Sequence, residues 1–415
     1  MPSAPHTTYH TADYLYPIAS PPIKDGIIAL DEKQRVTAIL DPASPEFITP
    51  ATPPQKHEGI LIPAFINTHC HLELSHLVGK SQTGKTLLPF LIDVISMRDV
   101  DQAEIDAAIA EQDKRMWEAG IQAVGDICNK IDTKAVKDES DITYYSFVEM
   151  FDFMQPERAE EAFNGYKAVF DGQSDYTEAN AKSAVPHAPY TVSDELYKRI
   201  NALNDAYDET ADGGMTVSIH NQETRAEDQL FETGDGPFAD FFKGFGASLD
   251  HFEATGQGSL FHALKHMDPG KRTIFVHNTN TTAEGIAAAV AWGRDGVYWA
   301  TCPNANLYIE NRLPFYKTFL DAGAKVTIGT DSLTSNWQLS VLEEMRTISK
   351  YQSYVPFDEL LRWATLNGAE ALYQGKYFGS LEAGKFPGLL AMSGLEGSSP
   401  EDFRIGAGTR VKRLV

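Results

Sequence analysis

Eight short apolar runs, most of them followed by a helical pattern, constrain the fold more than any other feature of the sequence. They lie within residues 61–370 or just before, and read GILIPAFIN, IQAVGDIC, TYYSFVEM, KSAVPH, MTVSIH, RTIFVH, GVYWATC and AKVTIGTD. Regular alternation of strands and helices predicts an α/β fold, here a (β/α)8 barrel. A doubly wound open sheet is the alternative, but it needs a Gly-rich phosphate turn after an early strand. The sequence has no such turn.

Both ends of the chain have a different pattern. Residues 8–60 and the segment YFGSLEAGKFPGLLAMSG contain short β-like runs that Gly and Pro interrupt. Within GIIALDEKQRVTAIL, Asp31 and Glu32 predict a turn between two paired strands. The two termini are therefore expected to be β structure.

Polar side chains stand where the predicted strands end. The carboxyl ends of all strands of a barrel meet at one face, which is where active sites are built. Several imidazoles beside a carboxylate are costly to bury unless a cation binds them, so Zn²⁺ or Fe²⁺ is expected there. The alternative is that these are ordinary buried polar residues. The residues concerned are His69, His71, His187, His220, His277 and Asp331.

Charge and composition restrict the partners. The net charge of −23 and a pI of about 4.9 argue against nucleic acid and anionic membrane as partners. No run approaches the length of a membrane span, and the first residues lack the pattern of a secretory signal. The cysteines Cys70, Cys128 and Cys302 form no disulfide framework. We expect a cytoplasmic protein with reduced thiols and a small-molecule partner.

Eight motifs follow one another along the chain: PAFINTHCHLELSH, VPHAPYTVS, SIHNQET, TIFVHN, TCPNANLYI, TIGTDSLTSNWQLSVLEEMR, ATLNGAEAL and GSLEAGK. In this order they resemble the motifs of the amidohydrolase superfamily, in particular of its metal-dependent aminohydrolases. Two alanines depart from the family pattern: Ala64 stands where Gly is usual and Ala305 where Ser is usual. The segment GKFPG also lacks the acidic residue that most relatives carry after GK.

The resemblance implies a distorted (β/α)8 TIM barrel over residues 61–370. It also implies a small β-sandwich domain formed by residues 1–60 and 371–415. One divalent metal ion is expected, zinc in the first place and iron as the alternative. Relatives with two metals use a carboxylated lysine at the end of strand four, whereas Lys182 lies near the start of that run. The implied metal ligands are His69, His71, His220 and Asp331.

The implied activity is hydrolytic deamination of a purine, a purine nucleoside or a related amino-heterocycle, with ammonia released. A bound divalent metal would make hydroxide available at neutral pH. Asp331 would take a proton from the water, and Glu223 would carry it to the ring nitrogen and then to the leaving ammonia. His277 would hydrogen-bond the attacking hydroxide or the developing oxyanion.

Further residues are candidates for substrate contacts by the same resemblance. His187 could instead pack under the rim of the barrel, and Ser335 could instead cap the helix near WQLSVLEEMR. Asn304 and Asn306, in the loop after strand seven, are weaker candidates.

Two other functions remain open on the sequence. One is hydrolysis of another ring substituent or a cyclic amide, as in triazine chlorohydrolases or lactam-opening enzymes. The other is a barrel that only binds a ligand, but it predicts loss of Glu223 or of a metal ligand, and all are present. The sequence does not choose a substrate, and it leaves room for a homodimer.

Overall fold

The computed structural model describes residues 7–50, 52–175, 180–208 and 214–415. The strands are β1 Thr8–Thr11, β2 Tyr14–Leu15, β3 Ile23–Lys24, β4 Ile27–Leu30, β5 Val36–Leu40, β6 Gln55–Lys56, β7 Ile60–Ile62, β8 Phe65–Cys70, β9 Ile121–Cys128, β10 Thr143–Met150, β11 Asn180–Pro186, β12 Thr216–Asn221, β13 Arg272–His277, β14 Val297–Thr301, β15 Val326–Ile328, β16 Leu390–Ser393 and β17 Arg410–Arg413.

The α-helices lie mainly between the strands of the central region. They are α1 Leu87–Met97, α2 Gln102–Glu118, α3 Lys134–Glu139, α4 Ala159–Gly172, α5 Asp194–Asp208, α6 Arg225–Thr233, α7 Pro237–Gly244, α8 Ser259–His266, α9 Ala283–Gly293, α10 Pro303–Glu310, α11 Tyr316–Asp321, α12 Val341–Tyr351, α13 Phe357–Ala364 and α14 Leu366–Ala371. Short 3-10 helices span Leu72–Leu77, Pro156–Arg158, Pro189–Thr191 and Arg294–Gly296.

The eight predicted central strands correspond to β8–β15, which form two parallel four-stranded sheets. The sheet orders are β11-β10-β9-β8 and β12-β13-β14-β15. The backbone N–H of His220 donates to the carbonyl of His187 at 3.0 Å, which joins the sheets on one side. On the other side the N–H of Thr330 donates to the carbonyl of His69 at 2.9 Å. The predicted parallel α/β arrangement is confirmed, and the carboxyl ends of the strands lie close together.

The first predicted run is two strands, not one. Pro63 separates β7 from β8, and it has no N–H with which to continue a ladder. Strand β7 pairs with β2 and β16, while β8 pairs with β9. Strand β7, Ile60–Ile62, therefore belongs to the sheet of the termini.

The eighth strand is shorter than predicted. It ends at Ile328, because the N–H groups of Thr330 and Asp331 both turn to the carbonyl of His69. Asp331 has a φ of 58°, which lies outside the extended range of regular strand backbone. Gly329 allows this approach, since a Cβ there would lie 2.7 Å from the Cβ of His69.

The chain ends form two further sheets, as their Gly- and Pro-broken pattern predicts. One has the order β5-β4-β1-β6, and the other, β17-β16-β7-β2-β3, combines strands from both ends of the chain. Strands β4 and β5 form the predicted antiparallel pair. The Asp31 carboxylate holds the turn by accepting from the N–H groups of Lys33 and Arg35, at 2.9 Å each.

Helix α2 shows how the outer layer follows from the sequence. The Asp101 side chain caps its start by accepting from the N–H of Ala103 at 2.9 Å. Ile105, Ile109 and Met116 are its buried residues. Gly120 follows with a φ of 89°, in agreement with the predicted glycine stop.

The cysteine side chains form no disulfide: Cys70, Cys128 and Cys302 are buried free thiols. Among the described residues, no helix combines the length and apolar character needed to cross a membrane.

A buried ion pair lies beneath the first strand end. The Lys137 ammonium of α3 contacts Asp126 Oδ2 of β9 at 2.5 Å, and the two side chains are 3% and 0% exposed. The other oxygen of Asp126 accepts from the N–H of Leu72, next to His71, at 2.9 Å. The pair thus fixes the backbone that follows the first strand.

Replacing Lys137 by methionine leaves the Asp126 carboxylate buried without its cation. We expect Lys137→Met to lower the free energy of unfolding by about 3–5 kcal/mol in urea titrations, since half of a buried pair is removed. Lys134→Met, on the same helix, removes the cation of a more exposed ion pair, with Asp138. It should lower the free energy of unfolding by only about 0–1 kcal/mol. Equal effects of the two substitutions would contradict this role of the buried pair.

Candidate active site

Four histidine side chains and one aspartate converge where the central strands end. His69 Nε2 lies 3.5 Å from Asp331 Oδ1, and His71 Nε2 lies 3.4 Å from the same oxygen. His71 Nε2 also lies 3.3 Å from His220 Nε2. The ring centroid of His277 is 5.6 Å from that of His69. The structure therefore brings together the residues predicted to bind a metal.

The nitrogen and oxygen atoms of these residues form two overlapping groups that could hold an ion. Within each group the candidate ligand atoms lie within 4.8 Å of one another, and His69 belongs to both. Neither ring nitrogen of His69 has a hydrogen-bond partner among the described residues, although the side chain is fully buried. The groups are His69, His71 and His220, and His69, His277 and Asp331.

Burial keeps the imidazoles neutral. It lowers the pKa of His71 to about 3, against the attraction of Asp331, and it lowers the pKa of His220 well below its usual value. Burial alone would raise the pKa of Asp331, but the close approach of His69 and the other nearby imidazoles hold it well below its usual value. Neutral imidazoles beside an ionised carboxylate are the protonation states that a divalent cation requires.

Two neighbours fix how the rings of His220 and His277 point. The Nδ1 atom of His220 lies 2.7 Å from the carbonyl oxygen of His187, an acceptor, so Nδ1 carries the proton and Nε2 keeps its lone pair. The Nδ1 atom of His277 lies 2.9 Å from Oδ1 of Asn306. Such outer partners orient metal-ligating imidazoles.

The backbone at these strand ends is strained. His277 has a φ of 72° and Asp331 one of 58°, in the left-handed region that β-carbon-bearing residues avoid. Each such residue costs on the order of 1–3 kcal/mol, and strain of this kind collects at functional sites. The strain turns both side chains toward the shared centre.

Glu223 lies beside this centre, as its position after His220 predicts. The side chain is buried, and its Oε2 atom is 3.7 Å from His277 Nε2. Burial, followed by the charges of Asp331 and Glu310, raises the pKa of Glu223 well above its usual value. A carboxyl group whose pKa is raised in this way is suited to giving and taking protons.

Two residues predicted to contact substrate, Ser335 and Asn304, are not among the residues that line the pocket, and their contacts with a substrate stay a prediction. Ser335 is fully buried, and its hydroxyl donates to Asp331 Oδ2 at 2.6 Å. It does not cap the following helix either, because α12 begins only at Val341, with Ser340 as its cap residue. Asn304 binds Glu344 through its backbone N–H at 2.8 Å and its amide at 3.0 Å, and so faces away from the pocket.

His187 lies at the pocket, where it could contact a substrate or pack under the rim of the barrel. Its side chain lines the pocket, and its Nδ1 atom is 2.8 Å from the hydroxyl of Thr191. A substrate contact by His187 stays a prediction.

Two residues that the sequence did not single out, Glu149 and Glu227, support the site, together with Asn306, which was a candidate for a substrate contact. Glu149 Oε1 lies 3.4 Å from His220 Nδ1, and Asn306 fixes His277. Glu227 accepts from the N–H groups of Gln222 at 3.0 Å and Glu223 at 3.2 Å, which holds the segment that carries Glu223. A signal for Glu149 was present, since it is the one charged residue of the apolar run TYYSFVEM.

The pocket above the centre is mostly apolar. Helix α1 covers one side, and aromatic rings from the loop after β10 and from α7 cover the other. His71, Glu223, His277 and Asp331 form its polar floor, with Arg98 and Asn129 at one edge. The apolar wall includes Leu87, Phe90, Leu91, Val94, Phe151, Phe153, Tyr190, Phe241, Phe242 and Ile309.

Comparisons with known proteins agree with this geometry. The chain is 27% identical over 369 residues to an adenosine deaminase of Helicobacter pylori, covering 88% of this chain and 86% of the relative. It is 26% identical to an aminodeoxyfutalosine deaminase of Nitratiruptor, with the same two coverages.

Solved structures share the fold. The Helicobacter pylori aminofutalosine deaminase in complex with methylthio-coformycin superposes with a TM-score of 0.78 at 23% identity, covering 95% of this chain and 94% of that one. A Xanthomonas campestris adenosine deaminase with bound zinc gives 0.67 at 23% identity, covering 93% and 84%. A model of the Amidohydrolase family matches residues 60–405. The chain belongs to the amidohydrolase family and is a hydrolase that acts on C–N bonds.

Proposed function

We propose that the protein is a hydrolytic deaminase of purine nucleoside-like substrates, with one zinc ion at the pocket floor. The observation that carries this proposal is the cluster of neutral imidazoles around Asp331, with the protonatable Glu223 beside it. The names of the relatives support the substrate class.

The side chains fit a divalent metal ion. His69, His71, His220 and Asp331 would hold it, since three imidazoles with one carboxylate suit both Zn²⁺ and Fe²⁺. The family is generally metal-dependent, and the bound zinc of the Xanthomonas campestris enzyme favours zinc. When bound, such an ion lowers the pKa of a coordinated water toward ~7.

The proton steps would belong to Asp331 and Glu223, whose Oε2 atom lies 3.7 Å from His277 Nε2. Protonated Glu223 would give its proton to the ring nitrogen of the substrate while Asp331 takes one from the attacking water. Glu223 would then take the proton of the new hydroxyl group and give it to the leaving amine as the carbonyl forms, and the proton on Asp331 would restore protonated Glu223. His277, with its Nδ1–H held by the Asn306 amide oxygen, presents the lone pair of Nε2, which would accept a hydrogen bond from the O–H of the attacking hydroxide.

The apolar walls would hold the planar base. Phe151, Phe153 and Tyr190 line the pocket together with α1 and α7, and aromatic rings favour stacking with flat heterocycles. Such a lining also excludes water around the reacting atoms. His187 would contact the substrate from the rim.

We propose that the two parallel sheets form a single distorted (β/α)8 barrel over residues 61–370. The backbone hydrogen bonds from His220 to His187 and from Thr330 to His69 support closure on both sides. Residues 1–60 and 371–415 would form the small β-sandwich domain, supported by the sheet that strands from both ends share. The buried free thiols suit a cytoplasmic protein.

Activity on a panel of amino-heterocycles tests the function. We expect ammonia release from adenosine, methylthioadenosine, S-adenosylhomocysteine or aminofutalosine, and none from a chlorotriazine or a cyclic amide. Release of chloride or ring opening, with all nucleosides inert, would contradict deamination and favour the alternative hydrolase.

Glu223→Gln removes the proton carrier and keeps the shape of the side chain. We expect kcat on the best substrate to fall by about 10²–10⁴-fold while the metal content stays unchanged. Glu253→Gln makes the same chemical change at an exposed position and should leave kcat unaltered. Full activity of Glu223→Gln would show that the proton carrier is another group.

Ser335→Ala removes the hydroxyl that holds the Asp331 carboxylate. We expect metal affinity to fall by about 10–100-fold, because an outer partner of a ligand is lost, with KM unchanged once the metal is saturating. Ser349→Ala, on the outer helix α12, is the control and should change neither quantity. A raised KM at saturating metal would instead support a direct contact between Ser335 and the substrate, as predicted from the sequence.

A further inference from the structure

Two outer helices carry a further group of side chains that could hold a metal ion. Asp194 is the first residue of α5, while His262 and His266 lie four residues apart near the end of α8. Residues at this spacing share one face of a helix. Ligand atoms from the three side chains lie within 4.8 Å of one another.

Both imidazoles point an unpaired nitrogen at this group. The Nε2 atoms of His262 and His266 lie 4.0 Å and 3.3 Å from Asp194 Oδ1. Within the part of the chain that the structure describes, neither Nε2 atom has a hydrogen-bond partner, although both are buried. His262 is 7% exposed. Buried ring nitrogens are normally paired, so these two lack a partner that an ion would supply.

Packing holds the two rings in place. The Tyr197 ring of α5 stacks on His266, with centroids 5.4 Å apart, and the Phe231 ring lies 4.8 Å from that of His262. The amide of Asn201 donates to the carbonyl of His266 at 2.8 Å, which ties α5 to α8. Ligands fixed in this way lose little freedom when they bind an ion.

The electrostatic surroundings are mixed. Burial, followed by the neighbouring His266, lowers the pKa of His262 to about 4, so its ring is neutral and has a lone pair to give. Lys198 and Lys265 lie close enough to affect His266, and their charges oppose a cation. Asp194 is therefore the ligand that offsets a positive ion.

We propose that Asp194, His262 and His266 bind a divalent transition-metal ion of the zinc type. Two imidazoles and a carboxylate are a common ligand set for such ions, which take nitrogen ligands at about 2.0–2.1 Å. The Asp194 side chain is 59% exposed, which leaves water to complete the coordination. This site does not rest on the proposed deaminase activity.

The ion would fasten α5 to α8 beside the pocket. Helix α5 follows the short helix Pro189–Thr191, whose Tyr190 and Thr191 line the pocket wall. A link at the start of α5 therefore stiffens the wall from outside, and its role is structural. It predicts a gain in thermal stability that persists when the pocket floor cannot bind its own ion.

Zinc titration of metal-free protein against a chromophoric chelator tests the site. We expect about two zinc ions per chain in the wild-type protein and about one in the His262→Asn, His266→Asn double variant. Asp194→Asn should weaken one zinc by about tenfold or more, since losing a ligand costs at least as much as losing its outer partner. Glu195→Gln, one residue along α5, is the matched control and should still bind both ions.

A variant at the pocket floor distinguishes zinc bound there from zinc bound at Asp194. His71→Asn should lose the other zinc and keep the one at Asp194, including its stabilising effect in thermal unfolding. Asp194→Asn changes an exposed side chain, so it reports on the site even if the double variant does not fold. The proposal fails if Asp194→Asn and the double variant bind zinc as the wild-type protein does. It also fails if the wild-type protein binds a single zinc that His71→Asn removes.

Discussion

The rest of the structure depends on how a buried carboxylate is shared among buried imidazoles. Asp331 Oδ1 lies within 3.5 Å of Nε2 of both His69 and His71, and all three side chains are almost completely enclosed. Polar groups buried without partners are costly, and His69 has none among the described residues. A cation at the centre would offset the cost of burying these imidazoles and the Asp331 carboxylate.

Much of the surrounding structure holds this centre in place. Thr330, next to Asp331, binds the Asn67 amide at 2.8 Å, and the Asn336 amide donates to the Thr330 carbonyl at 2.8 Å. Glu344 in turn accepts from Asn336 at 2.7 Å. On the opposite side Glu227 holds the segment of Glu223. The strained backbone at the strand ends is thus supported by polar contacts on both sides of the pocket.

The sequence predicted the elements whose signal is local. Eight apolar runs gave the central strands, and the position of each histidine after a run located the floor of the pocket. The first run was misjudged because one proline divides it between two sheets. The partners of Ser335 and Asn304, which are Asp331 and Glu344, could not be predicted, because a motif identifies a loop while only the folded chain decides what each side chain contacts. Asn306, two residues after Asn304, contacts the His277 ring. Glu227 could not be found because its partners are backbone N–H groups.

The central claim is that these side chains hold one metal ion at the pocket floor. Anomalous diffraction at the zinc edge, from crystals of zinc-loaded protein, measures this most directly. The account predicts a peak at about 2.0–2.1 Å from Nε2 of His69, His71 and His220, with Asp331 as a further ligand. A map without a peak at this position, or with the ion bound away from these four side chains, would contradict it.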